Sequence, residues 1–175
     1  MSTRVAFLRA VNLGKRTVKM SRAVEVLARA GYGDVWTYIN SGNVAFDAAG
    51  SRTDVERTIE SALEAEFGFE ITTFVRTAAE LEHIVVAEPF EVAAGDTYFV
   101  TFLKKQPDAA RVRALQSLSN AFDTLVVRGR DVHWRMHGKS TDSRLKKKDW
   151  EIVGKNNSTS RNINMLRKFA AKLAD

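Results

Sequence analysis

The stretch "VWTYINSGNVAFD", residues 35–47, holds two β-rich runs, 35–39 and 43–47, on either side of "NSGN". Asn and Gly supply the positive φ and the local side-chain bonds of a tight turn, so the stretch reads as a β-hairpin. Its neighbours decide what the hairpin belongs to. Upstream, "RVAFLR" at 4–9 is a short run of buried-strand type. Met20, Val24, Leu27 and Ala28 then recur at helical spacing until "GYGD" stops them. Downstream, Ser51 with Asp54 three residues later resembles a capping box. The helix it opens places Val55, Ile59, Leu63 and Phe67 on one face, with Glu56 and Glu60 expected on the solvent side. "EITTFVR", 70–76, is a further strand. The order βαββαβ is the split-βαβ pattern of ferredoxin-like folds.

A similar order begins again. After a helix near 77–87 and the loop "EPFEVAAGD", "TYFVTFLK" at 97–104 reads as a strand. Pro107 suits the first turn of a helix that turns Val112, Leu115 and Leu118 inward. "FDTLVVRGRDVHWRMH" is a second hairpin, with Gly129 near its turn and alternation in Val132, Trp134 and Met136. Helices are expected near 142–151 and 159–173, the last burying Ile163, Leu166, Phe169 or Ala170, and Leu173. The expected fold class is α+β: two ferredoxin-like (βαββα-type) halves packed together, with C-terminal helices, spanning 1–87 and 88–175. The recurrence is one of pattern, without a residue-level repeat.

Composition narrows the function classes. The chain has 175 residues, 45% hydrophobic and 27% charged, enough for a buried core. No apolar run approaches the roughly 20 residues that span a bilayer. In "MSTRVAFLRAVNL", Arg4 and Arg9 bracket too short an apolar core for a signal peptide, so a cytoplasmic protein with no membrane association is expected. The absence of cysteine excludes disulfides, thiolate zinc sites and a cysteine nucleophile. The net charge of +6 is unevenly laid out: Arg4, Arg9, Lys15, Arg16, Lys19 and Arg22 precede the first acid, and 139–175 is also strongly basic. Such ends suit an anionic partner, or are ordinary solvated surface.

Three segments bear candidate binding residues. Between the first strand and helix lie Arg9, Asn12, Gly14, Lys15, Arg16 and Lys19; a glycine beside Asn and cations can present N–H groups to a phosphate. It is not a P-loop. Gly14-Lys15 has Arg9 where the first glycine belongs and Arg16 where Ser or Thr belongs, and "HGKST" at 137–141 has His133 at its first glycine position. The "NSGN" turn brings Ser41 and Asn43, which turn formation alone also explains. In "NNSTSRNINMLRKF", 156–169, Ser158, Thr159 or Ser160 is expected to cap the last helix, with Arg161, Asn162 and Asn164 in its first turn. Arginine there opposes the helix dipole, which an anion or an acidic neighbour would offset.

Other chemistries find little support. His83, His133 and His137 lack metal-ligand spacing, no GxSxG elbow is present, and Glu64/Glu66 and Glu80/Glu82 do not face each other on helices. No metal site is expected, no cofactor is implied and no catalytic residue is identifiable. Trp150 in "RLKKKDW" could stack a base or sit at the edge of a core; Phe7, Tyr38 and Phe99 are explained by burial.

The segments "FLRAVNLGKRTVKM", "GYGDVWTYINSGNVAFD", "RTAAELEHIVVAEPF" and "TSRNINMLRK" together resemble the bacterial domain of unknown function (DUF) 1697 family, in order along nearly the whole chain. Ala10 stands where the family usually has glycine, Asn40 where it has glutamine, and Ile163 and Met165 where it has tryptophan and threonine. The resemblance implies an α+β architecture of ferredoxin-like character and no activity. Arg9, Asn12, Gly14, Lys19, Ser41, Gly42, Asn43, Arg161, Asn162 and Asn164 fall in its signature segments. The function expected from all this is a binding module for an anionic partner such as RNA or another nucleic acid. The alternatives are a small-molecule-binding protein or enzyme for a phosphorylated or carboxylated metabolite, and a structural or oligomeric protein whose polar signatures build turns.

Overall fold

The computed structural model describes residues 1–9, 14, 16–39 and 42–175. The chain divides into two units, Met1–Leu81 with Lys172–Asp175, and Glu82–Ala171. In the first, β1 (Ser2–Leu8), α1 (Met20–Arg29), β2 (Gly33–Thr37), β3 (Asn43–Ala48), α2 (Arg52–Phe67) and β4 (Thr73–Thr77) follow one another. The strands form one antiparallel sheet in the order β2-β3-β1-β4. The hairpin thus inserts β3 between β2 and β1, as the split-βαβ pattern requires.

Period-2 alternation sends Ala6, Leu8, Val44, Phe46 and Val75 to one sheet face, where they pack with Met20, Ala23, Val26 and Leu27 of α1 and Val55, Ile59 and Leu63 of α2. The α1 stripe differs from the expected one. Val24 is half-buried and Ala28 exposed, because Met20 and Leu27 set the phase and bring Ala23 and Val26 inward. Ser51 caps α2, its Oγ accepting from the Asp54 N–H at 3.1 Å.

Glu56 and Glu60 do not face solvent. Glu56 is buried, its Oε2 accepting from the Val75 N–H at 2.9 Å and its Oε1 from Arg52 at 2.8 Å. Glu60 Oε2 accepts from the Thr73 N–H at 2.9 Å. Strand β4 is a sheet edge, and its Thr73, Val75 and Thr77 N–H groups have no neighbouring strand to receive them. Glu80 takes the last at 3.1 Å while Thr77 Oγ1 accepts from the Glu80 N–H at 3.0 Å, a reciprocal cap that opens α3 (Ala78–Val86). Carboxylates so placed close the edge against strand addition.

The second unit repeats the topology. Strands β5 (Thr97–Leu103), β6 (Asp123–Arg128), β7 (Asp131–Met136) and β8 (Ser158–Asn162) form an antiparallel sheet in the order β6-β7-β5-β8, with α4 (Ala109–Gln116) as its first crossover. Pro107 lies before the cap rather than in the first turn, because Asp108 Oδ1 accepts from the Arg111 N–H. Only Leu115 of α4 is fully buried, Val112 is half-buried, and Leu118 lies beyond the helix.

The helix expected at 142–151 is instead two 3-10 segments, Ser140–Asp142 and Lys147–Val153. Three consecutive lysines break the apolar stripe, and Leu145, Trp150, Ile152 and Val153 reach the core one by one along an irregular path. The helix expected from 159 begins only at Ile163, as α5 (Ile163–Leu173). Residues 158–162 pair with β5 as an edge strand, and Thr101 Oγ1 and Ser160 Oγ are 2.7 Å apart across the two strands. Ile163, Leu166 and Phe169 are buried, while Ala170 and Leu173 are half-buried. Among the described residues no helix is long and apolar enough to cross a membrane.

Candidate functional site

In the first unit, β1 ends where three segments meet. The Leu8 N–H donates to Gly42 O at 2.8 Å, and the Arg9 N–H donates to Thr72 O at 2.9 Å. These bonds set the turn after β2, the entry to β4 and the start of the β1–α1 connection side by side. Gly42 (φ +81°) and Gly14 (φ +62°) both adopt the left-handed conformation that glycine accepts without strain. Asn43 is wholly buried, and its amide donates to Tyr38 O at 3.0 Å while the Tyr38 N–H donates to Asn43 O at 3.0 Å. Its side chain therefore closes the hairpin.

Arg9 is half-buried, and its Nε is buried without a hydrogen-bond partner among the described residues. Burial lowers the pKa of its guanidinium, and the positive charge of Arg16 adds to the effect. Arg16 is exposed, with its guanidinium carbon 5.1 Å from the centre of the Phe69 ring. Lys19 is exposed, immediately before α1, and makes no side-chain cap. Asn12, Lys15 and Ser41 lie outside the described residues. Ile39, which sequence reasoning passed over, is a β-branched residue at φ +56°, 56% exposed, beside the same turn. That conformation is costly for an L-residue with a branched Cβ. No sequence signal announces it.

The second cluster is built differently from the expectation. Arg161 is in β8, not in a helical first turn. Its NH1 donates to Thr159 Oγ1 at 2.8 Å and to Ser160 O at 3.0 Å, and burial lowers its pKa to about 10. Neither Ser158, Thr159 nor Ser160 caps α5; Asn162 Oδ1 accepts from the Asn164 N–H at 2.8 Å. Asn164 is exposed, its Oδ1 at 3.5 Å from Arg167.

Arg161 has a counterpart in the first unit. Arg76 of β4 is opposite Val5 of β1 as Arg161 of β8 is opposite Val100 of β5, and Arg76 NH1 likewise donates to the preceding carbonyl, Val75 O, at 2.8 Å. Both arginines precede a polar residue, Thr77 or Asn162, that opens the next helix. "RTAAE" and "RNINM" thus occupy equivalent places at the ends of the fourth strands, although only the arginine is common to both.

Trp150 packs on Trp134 at 5.4 Å between ring centres, as part of the second core. His133 is buried, its Nδ1 2.5 Å from the Tyr98 hydroxyl. Burial, aided by Arg128, lowers its pKa to about 4, and burial raises that of Tyr98 to about 12. Both groups are shut off from solvent and form a structural pair.

Two four-stranded antiparallel sheets of ferredoxin-like topology, each with a helix opening directly off its fourth strand, define an α+β protein built on an internal repeat. The chain belongs to the family described as protein of unknown function (DUF1697), which matches residues 1–133. Arg161, Asn162 and Asn164 lie beyond the matched region. In fold the chain is similar to the conserved bacterial protein SP0830 from Streptococcus pneumoniae, at 18% identity and a TM-score of 0.75, over 100% of this chain and 99% of that one. No curated protein matches the chain.

Proposed function

We propose that the protein binds an anionic small molecule, a phosphate or carboxylate, at the end of the first sheet, with Arg9 and Arg16 as the charged contacts. The observation that carries this reading is the Arg9 side chain, whose buried Nε has no partner among the described residues and which feels the charge of a second arginine, Arg16. Leaving such a donor unsatisfied costs about 1–3 kcal/mol, which an anion accepting from it would return. Gly42 lies at the same end, and Asn12, Gly14, Lys15, Lys19 and Ser41 belong to its connecting segments in sequence.

A nucleic-acid partner has less in its favour. Strand residues on both faces of each sheet are buried: Ala6 and Leu8 on one face and Val5 and Phe7 on the other in the first, Leu103 on one and Val100 and Phe102 on the other in the second. An RNA-binding sheet presents open aromatic rings for base stacking. Lys147 and Lys148 are exposed and remain available to phosphates of any source.

The test is thermal unfolding in inorganic phosphate, citrate and matched sodium chloride, for the wild type and for Arg9→Leu. At ten times its Kd a bound anion stabilises by about 1.4 kcal/mol. The wild type should respond to phosphate or citrate beyond the salt control, and Arg9→Leu should lose the response without losing basal stability. A large drop in basal Tm for Arg9→Leu, with no anion response in the wild type, would make Arg9 a structural residue. Binding of labelled RNA that weakens steeply with salt, without a response to small anions, would transfer the reading to nucleic acid.

A further inference from the structure

Each sheet has two edge strands, and at β4, β6 and β2 the edge carries a device that keeps another strand away. At β4 the outward N–H groups of Thr73, Val75 and Thr77 are taken by Glu60, Glu56 and Glu80. At β6 those of Asp123, Leu125 and Val127 are taken by the side chains of Asn120, Ser119 and Gln116, at 3.0, 3.0 and 3.1 Å. Strand β2 has a bulge between Gly33 and Trp36, with Asp34 at φ +45°. The remaining edge, β8, has no such device among the described residues. We infer that β8 is a docking edge for an extended, acid-rich peptide segment of a partner protein, which adds to the second sheet as a further strand. The inference does not depend on the site at Arg9.

The register fixes which groups β8 turns outward. The Leu103 N–H donates to Arg130 O at 2.9 Å, on the β7 side of β5. Leu103, Thr101 and Phe99 therefore bond toward β7, and Phe102 and Val100 bond toward Thr159 and Arg161 of β8. That leaves Ser158, Ser160 and Asn162 with their N–H and C=O groups facing out. No acceptor among the described residues meets those three N–H groups. Ser160 O accepts from Arg161 NH1 at 3.0 Å and keeps a second lone pair.

The internal repeat explains why this edge is open. In the first unit α2 packs against β4, which brings Glu56 and Glu60 to its N–H groups. In the second unit 3-10 segments stand where α2 would, and the longer one, Lys147–Val153, packs against α4. Its Asp149 accepts from the Lys146 N–H at 2.7 Å instead. Ser158 is equivalent to Thr73 and Asn162 to Thr77, so Met165 stands in the place of Glu80 and brings no carboxylate.

Charge selects the occupant. From Ile152 to Ala171 the chain has four cations, Lys155, Arg161, Arg167 and Lys168, and no acid. Arg167 is engaged by Glu88, while Lys155, before the strand, and Lys168, after it, are exposed. A second copy pairing its own β8 here would set two such basic tracts side by side. A peptide bearing carboxylates meets the opposite sign, as the equivalent edge of the first unit already does with its own three glutamates. Main-chain bonds to Ser158, Ser160 and Asn162 would supply the affinity, and the flanking lysines the preference for acid.

The test is amide hydrogen exchange on the full chain with a blocked heptapeptide of alternating glutamate and valine, its lysine–valine counterpart, and matched sodium chloride. In the free protein the Ser158, Ser160 and Asn162 amides should exchange faster than those of Thr73 and Val75. The glutamate peptide should protect the three saturably, and the lysine peptide should bind at least about tenfold more weakly, or 1.4 kcal/mol. Ser160→Pro deletes an outward N–H and leaves the bonds to β5 in place, so it should fold and lose the protection. Met165→Glu restores the carboxylate that Glu80 supplies at β4. It should protect the Asn162 amide and weaken the glutamate peptide, and it decides the matter if the proline variant does not fold. Protection in the free chain equal to that at Val75, no protection by the glutamate peptide at about 1 mM, or equal binding of the lysine peptide would overturn the assignment. So would self-association that Ser160→Pro abolishes, because the occupant would then be a second copy.

Discussion

Asp123→Asn is expected to destabilise the second unit by about 3 kcal/mol. The Asp123 carboxylate is completely buried at the start of β6 and accepts four hydrogen bonds. Oδ1 receives the Trp134 indole N–H at 2.9 Å and the Ser143 hydroxyl at 2.6 Å. Oδ2 receives the Arg144 amide at 3.0 Å and the Asn120 side-chain amide at 3.0 Å. Burial pushes the Asp123 pKa up, but these bonds outweigh it and hold the carboxyl below the usual carboxylate range. The group pins the chain after β7 to the hairpin before it, where the first unit uses a full helix as its crossover.

An asparagine keeps an acceptor on one side only. On the Oδ2 side its NH2 would meet two N–H donors, and Asn120 cannot rotate to help because its Oδ1 already accepts from the Phe122 and Asp123 N–H groups at 2.8 and 3.0 Å; on the Oδ1 side the Ser143 hydroxyl can turn to accept, which strands only the Trp134 N–H. One donor stranded at about 1–3 kcal/mol, together with the loss of the negative charge from the three remaining bonds, gives the figure above. At about 4–8 °C per kcal/mol, the Tm of the unit falls by about 12–24 °C. Urea unfolding in a Trp36→Phe background leaves Trp134 and Trp150, both in the second unit, as the fluorescent reporters. The folded pKa lies below the unfolded value of about 3.9, so this stabilisation is complete above that pH and fades as the pH falls through the folded pKa. The gap between wild type and variant should therefore close on acidification. A loss smaller than about 1 kcal/mol, or a gap that does not depend on pH, would refute the reasoning.

Glu56→Gln is expected to cost the first unit about 1–2 kcal/mol, because one of the Val75 and Arg52 donors then faces an NH2 group. Hydrogen exchange at the Val75 amide should quicken, and unchanged exchange would remove Glu56 as its acceptor. His133, with a folded pKa of about 4 against 6.5 unfolded, should make the second unit lose stability as the pH falls from 6.5 toward 4. His133→Gln should flatten that slope in pH-dependent urea unfolding, and an unaltered slope would assign it to other groups. Ile39→Gly should raise the Tm slightly, since the left-handed conformation costs a branched residue about 1–2 kcal/mol and glycine gives back less than that in chain entropy. A lower Tm would mean that the exposed side chain makes a contact worth more than the strain.

The hairpin at 35–47 and the helices α1 and α2 were legible because each carries its own punctuation, a turn sequence or a cap beside an apolar period. The start of the last helix was misplaced by four residues for a related reason. "STSRN" has neither period, and only pairing with β5 makes it a strand. Glu56 fails in the same way. Its spacing on α2 says solvent, but the outward N–H groups of the β4 edge lie within its reach. Of the candidate site, the basic connection after β1 was visible as charge and glycine. The bonds from Leu8 to Gly42 and from Arg9 to Thr72, which join it to the hairpin turn and to β4, were not.

By itself, then, the sequence determined the element order of the first unit, the start of a second similar order, the strands with strong alternation and the concentration of cations near the first loop. All of these depend on neighbours within a few residues, where periodicity, capping and turn chemistry act. Tertiary structure alone decided which strand formed an edge, which carboxylates closed that edge, where Asp123 found its four donors and that the Nε of Arg9, like nitrogens of Arg130 and Arg135, was left buried with its N–H unmet among the described residues. Each of those depends on groups brought together from distant parts of the chain, and a buried donor or acceptor takes whatever partner folding places within about 3 Å of it.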